Sequence, residues 1–109
     1  DTPELNGDDP PDCWAEEARD RAIELLPEGE TVWLTFDGEE RDQFGRLLAY
    51  VFVGSAPEAP GFTDSFNYEM VAEGHAETFF FPNNQTFRDP LLAAEGQARA
   101  QNLGLWRCP

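Results

Sequence analysis

The chain has 109 residues and a formal net charge of −15, because 22 acidic side chains face only seven basic ones. This length suits one domain with a modest core, and no apolar run approaches the roughly 20 residues needed to span a membrane. We therefore expect a soluble single domain without a membrane partner.

Three explanations for the acidity compete: a basic partner, an unfolded acidic chain, or a surface adapted to concentrated salt. Unfolding is disfavoured, because three Trp and nine Phe provide apolar surface to bury. Every basic residue is an arginine. Carboxylates without lysine are typical of proteins from salt-loving organisms, where molar salt screens charges over roughly 3 Å. We interpret the charge as an adaptation to high salt.

The first third of the chain predicts a loop followed by a helix. Residues 1–11 are polar and contain several prolines, and Asp12 is a candidate N-cap. Apolar residues then recur at helical spacing until Pro27-Glu28-Gly29 ends the pattern. These residues are Trp14, Ala15, Ala18, Ala22, Leu25 and Leu26.

Two strands are predicted next. The alternation of Val32, Leu34 and Phe36 indicates a strand with one face in the core, and the sequence of residues 37–40, Asp-Gly-Glu-Glu, predicts a turn. Seven consecutive apolar residues, Leu47 to Val53, then predict a strand covered on both faces.

The second half predicts an irregular segment, a short helix, a third strand and a last helix. Residues 54–65 contain a Pro- and Gly-rich stretch and are interpreted as an inserted loop. Gly74 ends the short helix, and Ala76 to Phe81 predicts a strand. Pro90 begins the last helix, with Leu91, Ala94 and Ala98 facing inward. This order of elements indicates an α+β fold.

Arg46 lies beside Gly45, directly before the apolar strand. A guanidinium at this position is suited to holding a phosphate or carboxylate through two parallel hydrogen bonds, because Gly45 permits close backbone approach. The alternative is a surface arginine that flanks a β-turn. The local sequence alone favours this second interpretation.

The two cysteines, Cys13 and Cys108, lie outside the predicted core elements. An even count suits a disulfide that closes nearly the whole chain, which would imply an oxidising compartment. The alternatives are two unrelated buried thiols or a metal site. The metal site is disfavoured because His75 is too distant in sequence for zinc-like spacing.

Short motifs along the chain share their order and spacing with one known family. They are Asp1-Thr2-Pro3-Glu4, Glu17-Ala18, Asp42-Gln43-Phe44-Gly45-Arg46-Leu47-Leu48-Ala49-Tyr50, Asn67 with Met70 and Gly74, Phe80 with Pro82-Asn83-Asn84, and Glu95-Gly96-Gln97-Ala98 through Leu103-Gly104-Leu105-Trp106. In these motifs the chain resembles the thermonuclease family, the calcium-dependent staphylococcal-nuclease-like (SNase-like) phosphodiesterases.

The resemblance implies an OB-fold, a five-stranded barrel with packed helices. In that family three strands precede the motif with which this chain begins. Residues 1–109 would then be the C-terminal two-thirds of one domain, N-terminally truncated and incomplete, with residues 1–11 as an active-site loop. Because an incomplete barrel exposes strand edges, we expect either a fragment or an edge covered through self-association or by a neighbouring chain.

The resemblance also assigns chemistry to individual residues. Glu4 matches the carboxylate that orients or deprotonates the attacking water, and Arg46 matches one of two arginines that clamp the phosphate. Asp1 matches a calcium-binding aspartate, and Thr2 matches a carbonyl ligand of calcium. The family takes its other calcium-binding aspartate and its second arginine from the strands absent here. We therefore expect this chain alone to be inactive.

Departures from the family affect substrate contacts. Phe44, Thr78 and Phe80 stand where the family has tyrosines near the nucleotide. A base could still stack on Phe44 or Phe80, although core packing is an equal alternative for each phenylalanine.

Our first hypothesis is a calcium-dependent endonuclease that cleaves DNA or RNA, located outside the cell or at its surface in a high-salt environment. The alternative is a non-catalytic OB-fold module that binds nucleic acid or protein. A third hypothesis is a halophilic interaction domain without chemistry.

Overall fold

The structure, a computed structural model, describes residues 1–7, 10–54 and 61–109. It contains helices α1 (Ala15–Leu25), α2 (Phe66–Ala72) and α3 (Arg88–Ala100), strands β1 (Val32–Arg41) and β2 (Leu47–Val53), and short 3₁₀ helices at Gly61–Asp64 and Gly104–Arg107. The predicted α+β class is confirmed. Residues 55–60 of the predicted inserted loop lie outside the described residues, whereas its last part forms the first 3₁₀ helix.

Strands β1 and β2 form an antiparallel hairpin. Val32 lies opposite Val53, and the register shifts between Phe36 and Arg41. The predicted turn at residues 37–40 is wrong, because β1 continues through it as an irregular strand. Contacts distant in sequence stabilise this path: Thr86 donates to the Asp37 carboxylate through its backbone N and its hydroxyl, at 2.9 and 2.8 Å.

Two further contacts explain why this irregular part of β1 contains a glycine. The Asn84 side chain accepts from the Glu39 backbone N and donates to the Glu39 carbonyl oxygen, at 2.6 and 2.9 Å. A Cβ at Gly38 would collide with the backbone carbonyl of Asn83. A larger residue at position 38 would therefore push β1 away from the loop that follows Phe81.

The core lies between the helices rather than on the sheet. Its buried residues are Ala18, Met70, Val71, Ala76, Leu91 and Ala94. The inward prediction for α3 is confirmed at all three positions. Val32, Leu34 and Phe36 instead remain 40–45% exposed, so the prediction that they face the core is wrong. Only Phe52 in β2 is fully buried, so this strand is not covered on both faces. The physical reason is that the described sheet has only two strands, whereas the buried core residues of the described chain lie on the helices and at Ala76.

The structure has no strand at residues 76–81, so the predicted third strand is wrong. Glu77 exchanges backbone hydrogen bonds with Asp1 in both directions, at 2.7 and 2.8 Å. The buried carboxylate of Glu95 accepts from the backbone N and the hydroxyl of Thr78, at 2.7 and 3.1 Å. These bonds satisfy the backbone that a neighbouring strand would otherwise pair.

A disulfide joins Cys13 to Cys108, whose Cα atoms are 6.1 Å apart. It links the start of α1 to the end of the chain after α3. The predicted N-cap at Asp12 is wrong, because α1 begins after Trp14 with no side-chain cap. The Asp12 carboxylate is instead bonded to the loop before it. No helix in the described ranges has the length and apolar character needed to cross a membrane.

Candidate functional site

The turn between β1 and β2 orients Arg46. The Asp42 carboxylate accepts hydrogen bonds from the backbone N of Phe44 and of Arg46, each at 2.9 Å. Its second oxygen accepts from Arg46 Nε at 2.6 Å. Gly45, at a φ of 79°, closes the turn through a bond to the Asp42 carbonyl oxygen. The guanidinium is therefore fixed at its base by a rigid turn.

The outer part of this guanidinium is exposed. The Arg46 side chain is 72% accessible, whereas the Asp42 side chain is 3% accessible. Burial raises the pKa of Asp42, but the hydrogen bonds from Arg46 and Phe44 outweigh it and hold the pKa below its ordinary value. Of the three guanidinium nitrogens of Arg46, only Nε has a hydrogen-bond partner among the described residues. Nη1 and Nη2 are therefore available to bind an anion through two hydrogen bonds.

Arg46 lies in a groove with aromatic walls. The groove has a volume of about 560 Å³, and its lining includes Phe44, Phe79, Phe81 and the acidic Glu39. The Arg46 guanidinium carbon is 5.3 Å from the centre of the Phe44 ring, and Phe44 is 73% exposed. Of the three substrate residues expected from sequence, Phe44 is therefore the one that accompanies Arg46.

A different cavity, of about 250 Å³, lies between β2, α2 and residues 76–81, and its lining includes Asp1, Thr2, Thr78 and Phe80. Asp1 and Thr2 are exposed at its edge. Phe80 is half-buried, with the guanidinium carbon of Arg88 5.8 Å from its ring centre. Phe80 packs against the core cluster, and stacking of a base on it stays a prediction.

Glu4 is positioned through its backbone. Its N donates to the Asp12 carboxylate at 2.8 Å, and its carbonyl oxygen accepts from the Asp12 backbone N at 2.8 Å. The Asn6 side chain donates to the same carboxylate at 3.1 Å. The bond from the Glu4 N and the bond from Asn6 lower the pKa of Asp12. Glu4 is exposed, and its backbone is bonded to Asp12, which directly precedes the disulfide-linked Cys13.

Glu4 and Arg46 line separate depressions. Glu4 shares one with Asp1 and Thr2 beside the C-terminal residues, whereas Arg46 lies in the aromatic groove. The central cavity lies next to both, since Asp1 and Thr2 line it as well, and Phe79 and Phe81 line both that cavity and the groove. Whether Glu4 and Arg46 act on one phosphate stays a prediction.

The residues predicted to bind calcium do not make a complete site. Calcium takes six to eight oxygen ligands, and the described part of the chain has no group of three or more Asp, Glu, His or Cys placed to hold a metal. Asp1 and Thr2 supply oxygens of the right chemical type but too few of them. We therefore derive no catalytic step through a metal.

Sequence reasoning missed three residues that position the site. Asp42 orients Arg46, Asp12 holds Glu4, and Glu95 holds Thr78. The spacing of Asp42 and Arg46, four residues apart around a glycine, was a usable signal for an Asp-stabilised turn. Glu95 gave no comparable signal, because its partner lies 17 residues away.

Comparisons with known proteins identify the family of this chain. The family described as Staphylococcal nuclease homologue matches residues 1–108. The chain is 33% identical over 75 residues to a thermonuclease from Staphylococcus intermedius. The aligned region covers 69% of this chain and 40% of that protein. It is 30% identical over 107 residues to a thermonuclease from Staphylococcus hyicus, with 97% and 58% covered.

An endonuclease of Bacillus subtilis, YncB, is 32% identical over 111 residues, with 97% of this chain and 47% of that protein covered. The chain thus spans between 40% and 58% of the length of these three relatives. Because the family match extends over nearly all of the 109 residues, this chain belongs to the staphylococcal nuclease homologue family.

Proposed function

We propose that this chain is part of an endonuclease that hydrolyses phosphodiester bonds of DNA or RNA. The observation that carries the proposal is the Arg46 guanidinium, which Asp42 holds through Nε while Nη1 and Nη2 stay exposed beside Phe44. The relatives named thermonuclease and endonuclease support the same assignment.

In the proposed reaction, Arg46 binds the phosphate and Glu4 acts on water. Two N–H groups of a guanidinium can stabilise the negative charge that develops on phosphate oxygens. A carboxylate within hydrogen-bond reach of a water can accept its proton as the water oxygen attacks phosphorus. The bond to the leaving oxygen then breaks, and that oxygen takes the electron pair. The exposed Glu4 carboxylate, on a backbone held by Asp12, is suited to this role.

We propose calcium as the cofactor, which the Asp1 carboxylate and the Thr2 carbonyl would bind as two of its ligands. The remaining ligands, and a second arginine, would come from strands outside these 109 residues. The exposed apolar residues Val32, Leu34 and Phe36 support this extension, because further barrel strands would cover them. A neighbouring chain or self-association could cover the same surface.

We further propose that the protein works outside the cell or at its surface, in concentrated salt. The disulfide between Cys13 and Cys108 supports an oxidising compartment. The net charge of −15 supports a salt-rich environment, where self-repulsion is screened.

The complete protein that carries this chain should be assayed with calcium in molar salt. The rate of hydrolysis of single-stranded DNA and RNA tests the proposal. Glu4→Gln and Arg46→Ala should reduce the rate at least 100-fold, since each removes a group that acts in the transition state. Glu30→Gln and Arg19→Ala change the same residue types at exposed positions and should retain activity. Undiminished cleavage by both site variants would refute the assignment.

A second candidate function is a non-catalytic module that binds nucleic acid or protein. It is favoured by one observation, the placement of Glu4 and Arg46 in separate depressions. If the complete protein binds single-stranded DNA without cutting it under these conditions, this second function replaces the first.

A further inference from the structure

We propose that the disulfide formed by the two cysteines controls hydrolysis through Asp12, the residue that positions Glu4. Opening this disulfide should lower the rate of hydrolysis while the fold is retained. This inference rests on the proposed function, because it concerns how the proposed base is held in place. Neither the sequence motifs nor the comparisons assign the disulfide a part in the reaction.

Asp12 attaches the segment that carries Glu4 to the start of α1. Its carboxylate accepts from the Glu4 backbone N at 2.8 Å and from the Asn6 side chain at 3.1 Å. Its own backbone N donates to the Glu4 carbonyl oxygen at 2.8 Å. Because Glu4 is exposed, its position depends on these bonds more than on packing. The place of the Glu4 carboxylate is therefore set by the place of Asp12.

The disulfide links Asp12 to the C-terminal segment. Cys13 directly follows Asp12 and is joined to Cys108. The Cys108 backbone N donates to the Leu105 carbonyl oxygen at 3.0 Å. Leu105 is buried, and its own backbone N donates to the Gly74 carbonyl oxygen at 2.8 Å. The disulfide therefore connects Asp12 to a segment that is docked on the core.

The start of α1 is held by tertiary contacts rather than by a helix cap. The helix has no side-chain cap, and Trp14 before it has a φ of 74°. A large residue keeps this left-handed conformation only where the surrounding structure holds it. The disulfide precedes Trp14, and Trp14 Nε1 donates to His75 Nδ1 at 3.0 Å. When the disulfide opens, the bond to His75 still holds α1, whereas Asp12 depends on a turn bond from the Ala15 backbone N, at 3.1 Å.

The disulfide lies where a reductant can reach it. Cys13 is exposed, and both cysteines line the depression that contains Glu4. The thiolate of a dithiol attacks one sulfur, and its second thiol then displaces the mixed disulfide. Two electrons and two protons pass to the cysteines, which become thiols, while the dithiol becomes a cyclic disulfide. The protein would therefore cut slowly in a reducing compartment and at full rate where the disulfide forms.

Steady-state kinetics of the complete protein on single-stranded DNA, with calcium, compare the oxidised form with the form reduced by dithiothreitol. Reduction, confirmed by thiol labelling, should lower kcat at least tenfold, because displacing a catalytic group by about 1 Å can cost about 100-fold. KM should change little, since Glu4 acts on water rather than on substrate binding.

Three variants test the route through Asp12. Asp12→Ala should have the low kcat even when oxidised, and reduction should not lower it further, because the two changes act on one contact. Cys13→Ser/Cys108→Ser should have the low kcat and not respond to dithiothreitol. Asp20→Ala, at an exposed position on α1, is the matched control and should respond to reduction as wild type does.

Hydrogen exchange provides a readout that does not depend on activity. Mass spectrometry of the complete protein should show faster exchange of residues 2–7 after reduction, because the Glu4 backbone N loses its partner. Residues 47–53 of β2, which are paired with β1, should keep their protection over the same interval. The circular dichroism spectrum should stay the same.

The outcomes separate the positioning role from the proposed function. If reduction changes neither kcat nor the exchange of residues 2–7, the positioning role is wrong while the proposed function stands. A response of Asp12→Ala to dithiothreitol equal to that of wild type also overturns the role, as does equally accelerated exchange of residues 2–7 and 47–53. If the oxidised protein does not cut but reduction accelerates exchange of residues 2–7 alone, the proposed function fails and the hold of the disulfide on Glu4 stands.

Discussion

Asp42 and Arg46 are joined by a 2.6 Å hydrogen bond that connects a nearly inaccessible carboxylate to a largely exposed guanidinium. The same carboxylate accepts the backbone N–H groups of Phe44 and Arg46. One aspartate thus shapes the turn and aims the side chain that the turn carries. Asp42 is a positioning residue for the proposed phosphate contact.

Asp42→Asn should lower the rate of hydrolysis by the complete protein about tenfold with a small loss of stability. The asparagine oxygen can still accept the two backbone N–H groups, but its amide cannot accept from Arg46 Nε. The ion pair itself is expected to contribute little to stability, because the Arg46 side chain is 72% exposed. The orientation of the guanidinium, rather than folding, should therefore be lost. Steady-state kinetics and urea unfolding measure the two effects.

Asp37→Asn is the matched control, since Asp37 also accepts backbone and side-chain hydrogen bonds, from Thr86, but has no bond to Arg46. It should reduce stability and leave kcat unchanged. The Hε resonance of Arg46 in the NMR spectrum gives a readout independent of activity and should sharpen only when Asp42 is present. An unchanged Arg46 resonance in Asp42→Asn would contradict the positioning role.

Local sequence patterns predicted the helices of this fold, because the spacing of apolar residues within one segment determines which face of a helix is buried. The spacing of Leu91, Ala94 and Ala98 defines one face of α3 regardless of its partners. The Asp37-Gly38 sequence failed as a turn signal because contacts from Asn84 and Thr86 hold it in β1. These contacts join residues more than 40 positions apart in sequence, so the local sequence cannot predict them.

The candidate site, like the fold, was predictable from the sequence only in part. The motif that contains Arg46 identified the residue, but its exposed Nη atoms and its separation from Glu4 depend on packing of distant segments. Phe79 lines the same groove as Arg46, but the sequence did not distinguish it from Thr78 and Phe80, because the direction of each side chain depends on its tertiary contacts.

The disulfide should contribute much of the stability of this small domain. The cysteines are 95 residues apart in sequence, and closing a loop of this length restricts the unfolded chain by about 4 to 5 kcal/mol in the chain-entropy relation. We expect Cys13→Ser/Cys108→Ser to lower the free energy of unfolding by about 2–5 kcal/mol, measured by urea unfolding followed by circular dichroism.

Wild type with dithiothreitol should show the same loss as this double variant, and dithiothreitol should not affect the double variant further. A wild-type unfolding curve that is unchanged by the reductant, with free thiols confirmed by labelling, would contradict a stabilising disulfide.

His75 should make stability depend on pH near neutrality. Trp14 Nε1 donates to His75 Nδ1 at 3.0 Å, so the folded state requires a neutral ring. Burial lowers the pKa of His75 below its ordinary 6.5, with Arg21 acting in the same direction and Glu73 and Glu17 opposing. The unfolded chain therefore binds a proton where the folded chain does not. The stabilisation is complete above about pH 6.5 and is lost as the pH falls through the folded pKa.

Urea unfolding of wild type and His75→Phe between pH 5.5 and 7.5 should isolate this effect. The difference in unfolding free energy between the two proteins should shrink as the pH falls, while carboxylate contributions cancel. A constant difference over this range would show that His75 does not titrate with folding.

High salt should stabilise the fold, because 22 carboxylates and seven guanidinium groups leave a net charge of −15. Raising the NaCl concentration from 0.1 to 1 M shortens the screening length from about 10 to about 3 Å and weakens this self-repulsion. We expect the melting temperature to rise by several degrees, measured by circular dichroism. Glu28→Gln/Glu30→Gln, which removes two charges from the exposed turn after α1, should melt higher than wild type at 0.1 M NaCl and respond less to added salt. Equal salt responses of the two proteins, or a falling melting temperature in wild type, would argue against charge repulsion as the cause.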